Sequence, residues 1–237
     1  MTEHTLKQFD KDIDQIRTEF LRMAGVVDAM IQDAMAVVAD ADAVALERVR
    51  SNEKVVNQLE VQIDELVVSF IARRQPAAVD LRIVLAVAKM LTDMERCGDE
   101  AETIARRASR IHENSNRSMS DLELQHMARE VRVMLSEVMD SFARHDSVKA
   151  AEVVRHDKQV DKEWKSAVRG AVSFMIEDPR TISNGIDVMF IARSLERVGD
   201  HCKNMAERVI FMVHGDDVRH QGVKAAEQLV SEKTQNK

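Results

Sequence analysis

Residues 6–37 read LKQFDKDIDQIRTEFLRMAGVVDAMIQDAMAV, and apolar side chains recur in this stretch at alternating steps of three and four residues. This is the spacing of a helix that packs one apolar stripe against the other helices of a bundle. The stretch therefore predicts a long α-helix that ends near residues 39–42, where an acidic side chain is suited to capping the next helix. The apolar positions are Leu6, Phe9, Ile13, Ile16, Phe20, Met23, Val27, Met30, Ala34 and Val37.

The same kind of periodicity predicts five further helices. The second covers about residues 43–74 and ends before Pro76, because a proline pushes the preceding residue out of helical geometry. The third covers about residues 79–113 and is followed by a polar linker at residues 114–118.

The last three helices have their own boundary signals. Ser120 and Glu123 form a capping box at the start of the fourth helix. The fifth helix follows the turn at residues 145–147 and ends near Glu177. The sixth ends near Gly215, because glycine readily adopts the left-handed conformation of a helix C-cap.

The second half of the chain repeats the first half. Asp42 corresponds to Asp146 at an offset of 104 residues, and Glu95 corresponds to Glu196 at an offset of 101 residues. Short turns join the helices of each half, which favours an antiparallel order. The sequence therefore predicts an all-α protein of two tandem repeated antiparallel three-helix bundles. The expected divisions are residues 1–114 for the first bundle, 115–216 for the second and 217–237 for a polar C-terminal tail.

The composition excludes several classes of protein. A net charge of −7 argues against a general nucleic-acid binder, which normally carries a basic face. The chain has no apolar run long enough to span a membrane and no secretory signal at its N-terminus. With only two cysteines in addition, a cytoplasmic protein is the expected class.

Two acidic motifs, Glu95-Arg-Cys-Gly-Asp99 and Glu196-Arg-Val-Gly-Asp200, occupy corresponding places in the two halves. Acids four residues apart lie on one face of a helix with their Cβ atoms about 6 Å apart, and they repel each other. A helix built only for stability would carry Lys or Arg at the second position. The repetition of this unfavourable choice indicates that a cation lies between the acids.

Each motif has expected partners on the preceding helix, because a hairpin places residues at equal distances from its turn side by side. Hard oxygen donors gathered in this way suit magnesium, manganese, iron or calcium. The eight residues are the predicted metal ligands. The predicted pairs are Asp99 with Glu53, Glu95 with Asn57, Asp200 with Asp157 and Glu196 with Asp161.

Two alternatives to a regulatory metal site are open at this point. Acid-rich helix faces are commonly solvated surface that nearby arginines neutralise. A carboxylate-bundle metalloenzyme or metal-storage protein also takes acids from neighbouring helices, but its di-iron form uses Glu-x-x-His, which does not accompany these acids. The chain also has no phosphate-binding glycine loop and no nucleophile elbow, so no enzymatic activity is predicted.

The motifs contain two further informative residue types. Gly98 and Gly199 lie at corresponding positions inside helices, where a glycine costs roughly 1 kcal/mol relative to alanine. This cost predicts a close approach of a neighbouring helix. Arg96 and Arg197 are candidates for orienting the ligands of a metal.

Several stretches together carry a resemblance to a known family. The stretches are LERVGDH at 195–201 with Lys203-Asn204, MERCGD at 94–99, GDDVRH at 215–220, and Phe9-Asp10 with Leu21 to Met23. With these stretches combined, the chain resembles the PhoU family, regulators of bacterial phosphate uptake, over essentially its whole length.

The resemblance implies two three-helix bundles, often paired in a homodimer, without enzymatic activity. It also implies that the acidic motifs bind metal ions, with manganese, magnesium and iron as the candidates. Asn57 stands where an acid would be the stronger ligand. The first site is therefore expected to bind metal more weakly than the second.

The resemblance further implies a cytoplasmic negative regulator of the phosphate-starvation (Pho) response. Such a protein links the phosphate transporter ATPase, PstB, to the sensor histidine kinase, PhoR. These partners would bring it to the inner face of the membrane.

Overall fold

The computed structural model describes residues 2–113, 122–219 and 223–235, and it contains helices and no strand in those ranges. A single 3₁₀ turn, Pro179–Thr181, joins the fifth and sixth helices. The predictions of a polar linker at residues 114–118 and of a cap at Ser120 lie outside the described residues. The helices are α1 (Thr2–Asp40), α2 (Ala43–Arg74), α3 (Ala78–Glu113), α4 (Leu122–Arg144), α5 (Ser147–Glu177), α6 (Ile182–His214) and α7 (Val223–Gln235).

The helix ends follow the local signals in the sequence. The Asp42 carboxylate accepts hydrogen bonds from the backbone N–H groups of the first turn of α2 at 2.9 and 3.0 Å. Asp146 caps α5 in the same way, with both bonds at 3.0 Å. Gly215 has a φ of 81° at the end of α6, as a left-handed C-cap requires. The contacts of Asp42 and the conformation of Gly215 confirm the caps predicted at these two places.

The two repeats pack together through their third helices. Asp93 of α3 contacts His201 of α6 at 2.9 Å, and Arg107 of α3 pairs with Asp187 of α6 at 2.8 Å. As the residue number rises along α3, the number of its partner on α6 falls, so the two helices are antiparallel. No other pair of helices in the described ranges contacts more extensively.

The first helices of the repeats also contact each other. Arg132 of α4 makes two hydrogen bonds to Asp28 of α1, at 2.7 and 2.9 Å. Nearby, the rings of Phe20 and Phe142 meet edge to face with centroids 5.4 Å apart. The predicted stripe of α1 is buried from Ile13 to Val37, which confirms its core-facing role.

The segment expected to be a polar tail contains a seventh helix that the sequence reasoning missed. Ala226 and Val230 of α7 are buried, and α7 packs on α5. The two residues are four positions apart and therefore lie on one face of a helix. An ion pair between Arg155 and Glu227, at 3.3 Å, lies at the same contact.

None of the helices in the described ranges combines the length and the apolar character that crossing a lipid bilayer requires.

Candidate functional site

The two acidic motifs lie level with each other near the middle of α3 and α6, and each faces the preceding helix of its own repeat. A Cβ atom added to Gly98 would lie 3.3 Å from Cγ1 of Val56 on α2. A Cβ atom added to Gly199 would lie 3.3 Å from Cγ1 of Val160 on α5. This confirms the predicted close approach, which brings the acids of adjacent helices together.

The second acidic cluster consists of Asp157 and Asp161 on α5 with Glu196 and Asp200 on α6. Asp157 is 4% exposed and Glu196 is 6% exposed. Burial, and then repulsion from Asp200, raises the pKa of Glu196 to about 7. Burial, and then the charge of Asp157, raises the pKa of Asp200 above its ordinary value. All four acids predicted for this half of the chain therefore interact.

Two basic side chains also enter the second acidic cluster. The Lys203 ammonium donates to Oδ2 of Asp157 at 2.7 Å, and the Arg193 guanidinium donates to Oε1 of Glu196 at 2.5 Å. The guanidinium of Arg193 also lies over the ring of Trp164, 5.1 Å from its centroid. The other carboxylate oxygen of Glu196, Oε2, is buried and accepts no hydrogen bond.

The first acidic cluster consists of Glu53 and Glu60 on α2 with Glu95 and Asp99 on α3. Burial, and then the charges of Asp99 and Glu60, raises the pKa of Glu95. Burial raises the pKa of Asp99, and the charge of Glu53 raises it further. Glu60 also has a raised pKa, caused by burial and by the charges of Asp64 and Asp99.

The predicted pairing of Asn57 with Glu95 stays a prediction, and Asn57 contacts the first acidic cluster through Glu53. The contact between Val56 and Gly98 sets the register of the two helices and brings Glu60 level with Glu95. The exposed Asn57 amide donates to Oε1 of Glu53 at 2.8 Å. Glu60, which was not among the predicted ligands, is therefore a further residue of α2 that acts on Glu95.

The residues predicted to orient a metal's ligands have other contacts. Arg197 donates to Glu100 at 3.0 Å, and Arg96 is exposed. Both border a groove between α3 and α6 that Asp99 and Asp200 also line. The guanidinium that actually contacts a motif acid, that of Arg193, lies one helical turn before Glu196.

Two cysteines lie in the core beside the motifs. Cys97 of α3 and Cys202 of α6 are both completely buried. The hydrogen bond between their thiols, followed by burial, raises the pKa of Cys97 well above its ordinary value. A buried thiol with a raised pKa is a poor nucleophile, so Cys97 serves packing between the repeats, as does the completely buried Cys202 beside it.

The donor set fits a hard cation in its chemistry, because both clusters consist of carboxylates that repel one another at a partly buried site. The buried, unpartnered Oε2 of Glu196 supports this fit. Within the described residues, however, no three His, Cys, Asp or Glu side chains converge on one point as in a formed metal centre.

Comparison with known proteins identifies relatives over almost the whole chain. The family model of the PhoU domain matches twice, at residues 20–108 and 124–209, once in each repeat. The phosphate-specific transport system accessory protein PhoU homolog of Pseudomonas putida is 42% identical over 224 residues, which cover 94% of this chain and 88% of that protein. The phosphate-specific transport system accessory protein PhoU of Escherichia coli (strain K12) is 37% identical over 237 residues, covering 100% of this chain and 98% of that protein.

Solved structures agree with these sequence matches. The crystal structure of PhoU from Pseudomonas aeruginosa has a TM-score of 0.84 at 41% identity, covering 88% of this chain and 100% of that chain. The phosphate transport system regulatory protein PhoU from Streptococcus pneumoniae has a TM-score of 0.81 at 25% identity, covering 89% and 99%. The names of these relatives describe accessory and regulatory proteins, in agreement with the expectation of a non-enzymatic protein. The resemblance seen in the sequence is confirmed, and the chain belongs to the PhoU family.

Proposed function

We propose that this protein is a cytoplasmic regulator of phosphate homeostasis that keeps the phosphate-starvation response off when phosphate is plentiful. The observation that carries the proposal is the close similarity to phosphate-specific transport system accessory proteins, at 42% and 37% identity over nearly the full chain. In this proposal the protein, as a homodimer, links the transporter ATPase PstB to the sensor histidine kinase PhoR.

Loss of the protein should raise the expression of phosphate-scavenging genes in phosphate-rich medium. The reason is that the kinase would no longer receive the signal that the transporter is saturated. Transcript levels of these genes in a deletion strain, beside the same strain carrying the gene on a plasmid, measure the effect. Expression that stays at the repressed level in the deletion strain would contradict the proposal.

We further propose that the two acidic clusters take up hard cations such as Mn²⁺, Mg²⁺ or iron. Burial is the largest cause of the raised pKa of Glu95 and of Glu196, and a bound cation would offset both this burial and the repulsion that raises the pKa further. It would also provide a partner for the buried Oε2 of Glu196. The carboxylates of each cluster would have to rotate toward the ion, because in this structure they do not converge on one point.

Mn²⁺ titration of the metal-free protein by calorimetry tests this second proposal. The variants E95Q/D99N and E196Q/D200N keep the shape of the side chains but remove two charges from one cluster each. Each variant should lose the Mn²⁺ uptake of its own cluster while keeping that of the other.

A matched control is D10N/D14N, because Asp10 and Asp14 are exposed acids four residues apart on α1, outside both clusters. This control should bind Mn²⁺ as the unmodified protein does. Uptake that is equal in the control and in both cluster variants would show that the clusters are solvated surface.

A further inference from the structure

The two acidic clusters differ in the charges that surround them. At the offset of 101 residues that relates the motifs, Lys203 corresponds to Glu102 and Arg193 corresponds to Thr92. The second cluster therefore carries two cations where the first carries an acid and a neutral side chain. The same fold thus presents two sites of different charge.

The cations of the second acidic cluster are in direct contact with its acids. Lys203 lies 2.7 Å from Asp157, whose side chain is only 6% exposed. Arg193 lies 2.5 Å from Glu196, whose side chain is 7% exposed. Both contacts are close enough to neutralise much of the charge of the buried carboxylates.

The first acidic cluster has no comparable partner. Among the described residues, no Lys or Arg lies within 4 Å of its four carboxylates, and Glu102 pairs with Arg106 at 3.3 Å instead. Arg50 and Lys54 border the groove beside Glu53 and Asp99, but both are exposed to solvent. The negative charge of this cluster is therefore not compensated by a direct ion pair.

We propose that Lys203 is a built-in counter-cation of the second acidic cluster and that it makes the first cluster the tighter metal site. The inference rests on the proposed cation uptake and reverses the order expected from Asn57. A divalent ion that enters the second cluster is repelled by Lys203 and Arg193, and it must compete with Lys203 for Asp157. An ion that enters the first cluster displaces no resident cation.

Exchange of the two corresponding residues tests the proposal. K203M is placed in the E95Q/D99N background, where only the second acidic cluster is intact. E102K is placed in the E196Q/D200N background, where only the first acidic cluster is intact. Mn²⁺ calorimetry should show that K203M tightens binding by about tenfold or more and that E102K weakens it by a similar factor, as a change of one charge near a partly buried ion implies.

A control variant separates this contact from the general effect of charge. K158M removes the same charge from an exposed residue that makes no ion pair within the described part of the chain, and it should leave Mn²⁺ affinity nearly unchanged. Affinities that K203M and K158M change equally would overturn the proposal. Absence of Mn²⁺ binding in every protein, including the unmodified one, would instead overturn the proposed cation uptake on which it rests.

Thermal stability gives a readout that does not depend on the affinity measurement. Without metal, K203M should melt at a lower temperature than K158M, because it leaves the buried Asp157 without a partner. Added Mn²⁺ should restore the melting temperature of K203M. Equal melting temperatures of the two metal-free variants would contradict the role of Lys203, and E102K still tests the proposal if K203M does not fold.

Discussion

Replacement of Gly199 by leucine is expected to lower the free energy of unfolding by about 3 kcal/mol, at the upper end of the range for overpacked cores. Even a single Cβ atom at this position would lie 3.3 Å from Cγ1 of Val160 and 3.8 Å from Cγ1 of Val131. A leucine side chain has three more carbon atoms and no space to hold them. It would push α6 away from α5 and α4, and this displacement would outweigh the better helix propensity of leucine.

Urea denaturation followed by circular dichroism measures this effect, with G25L as the matched control. Gly25 lies inside α1, and a Cβ atom added there would meet no neighbouring atom within 4 Å, so G25L should gain up to about 1 kcal/mol from helix propensity alone. The second substitution V160A should recover part of the stability of G199L, because it removes the nearest obstructing methyl groups. Equal stability of G199L and G25L would rule out the close approach of α6 and α5.

Much of this fold could be predicted from periodicity alone, because long helices repeat their apolar stripe many times. The stripe of α1 runs for about nine turns, and its buried part agrees with the predicted positions. The short helix α7 gave a much weaker signal, because its apolar positions Val223, Ala226 and Val230 repeat over only about two turns. So short a stripe does not distinguish a docked helix from a polar tail.

The composition of the first acidic cluster was harder to predict than the fold. Reflection about a hairpin turn is uncertain by about one helical turn, so it did not point to Glu60, which lies three residues beyond Asn57 on α2. Comparison of the repeats gives no signal for Glu60 either, because the residue that corresponds to it at the offset of 104 is Trp164. Repeats preserve the backbone positions of a site more faithfully than its charges.

The role of Lys203 did have a signal in the sequence. It follows Asp200 by three residues and therefore lies on the same face of α6 as the motif acids. The repeat does not mark Lys203 as part of a site, because the corresponding residue of the first half, Glu102, has the opposite charge. A basic residue one helical turn after an acidic motif thus indicates that the same helix supplies a charge that partly neutralises the motif.

The metal-free protein should lose about 3 kcal/mol of its free energy of unfolding through Glu196 as the pH rises from about 4.5 to above 7. The ordinary pKa of this residue is 4.5, and in the folded protein it is about 7. Between these values the folded state binds a proton that the unfolded state has released, so raising the pH favours unfolding. One pKa unit corresponds to about 1.4 kcal/mol, which gives the magnitude.

Urea denaturation of E196Q and the unmodified protein at several pH values between about 5 and 8 isolates this contribution. The glutamine side chain would keep an oxygen for the guanidinium of Arg193 but would not titrate. E196Q should therefore be the more stable protein at the alkaline end of the range and should lose the part of the decline that Glu196 causes. The raised pKa values of Glu60, Glu95 and Asp99 cause a further decline that both proteins share. His145 acts in the opposite direction, because burial lowers its pKa and a rising pH therefore favours its folded form. This opposing effect is present in both proteins and cancels in their difference.

A difference in stability between E196Q and the unmodified protein that stays constant across this pH range would contradict the prediction. It would mean that the Glu196 carboxyl is already ionised in the folded state at the acidic end of the range. The second acidic cluster would then hold its charge without the repulsion that motivates a bound cation.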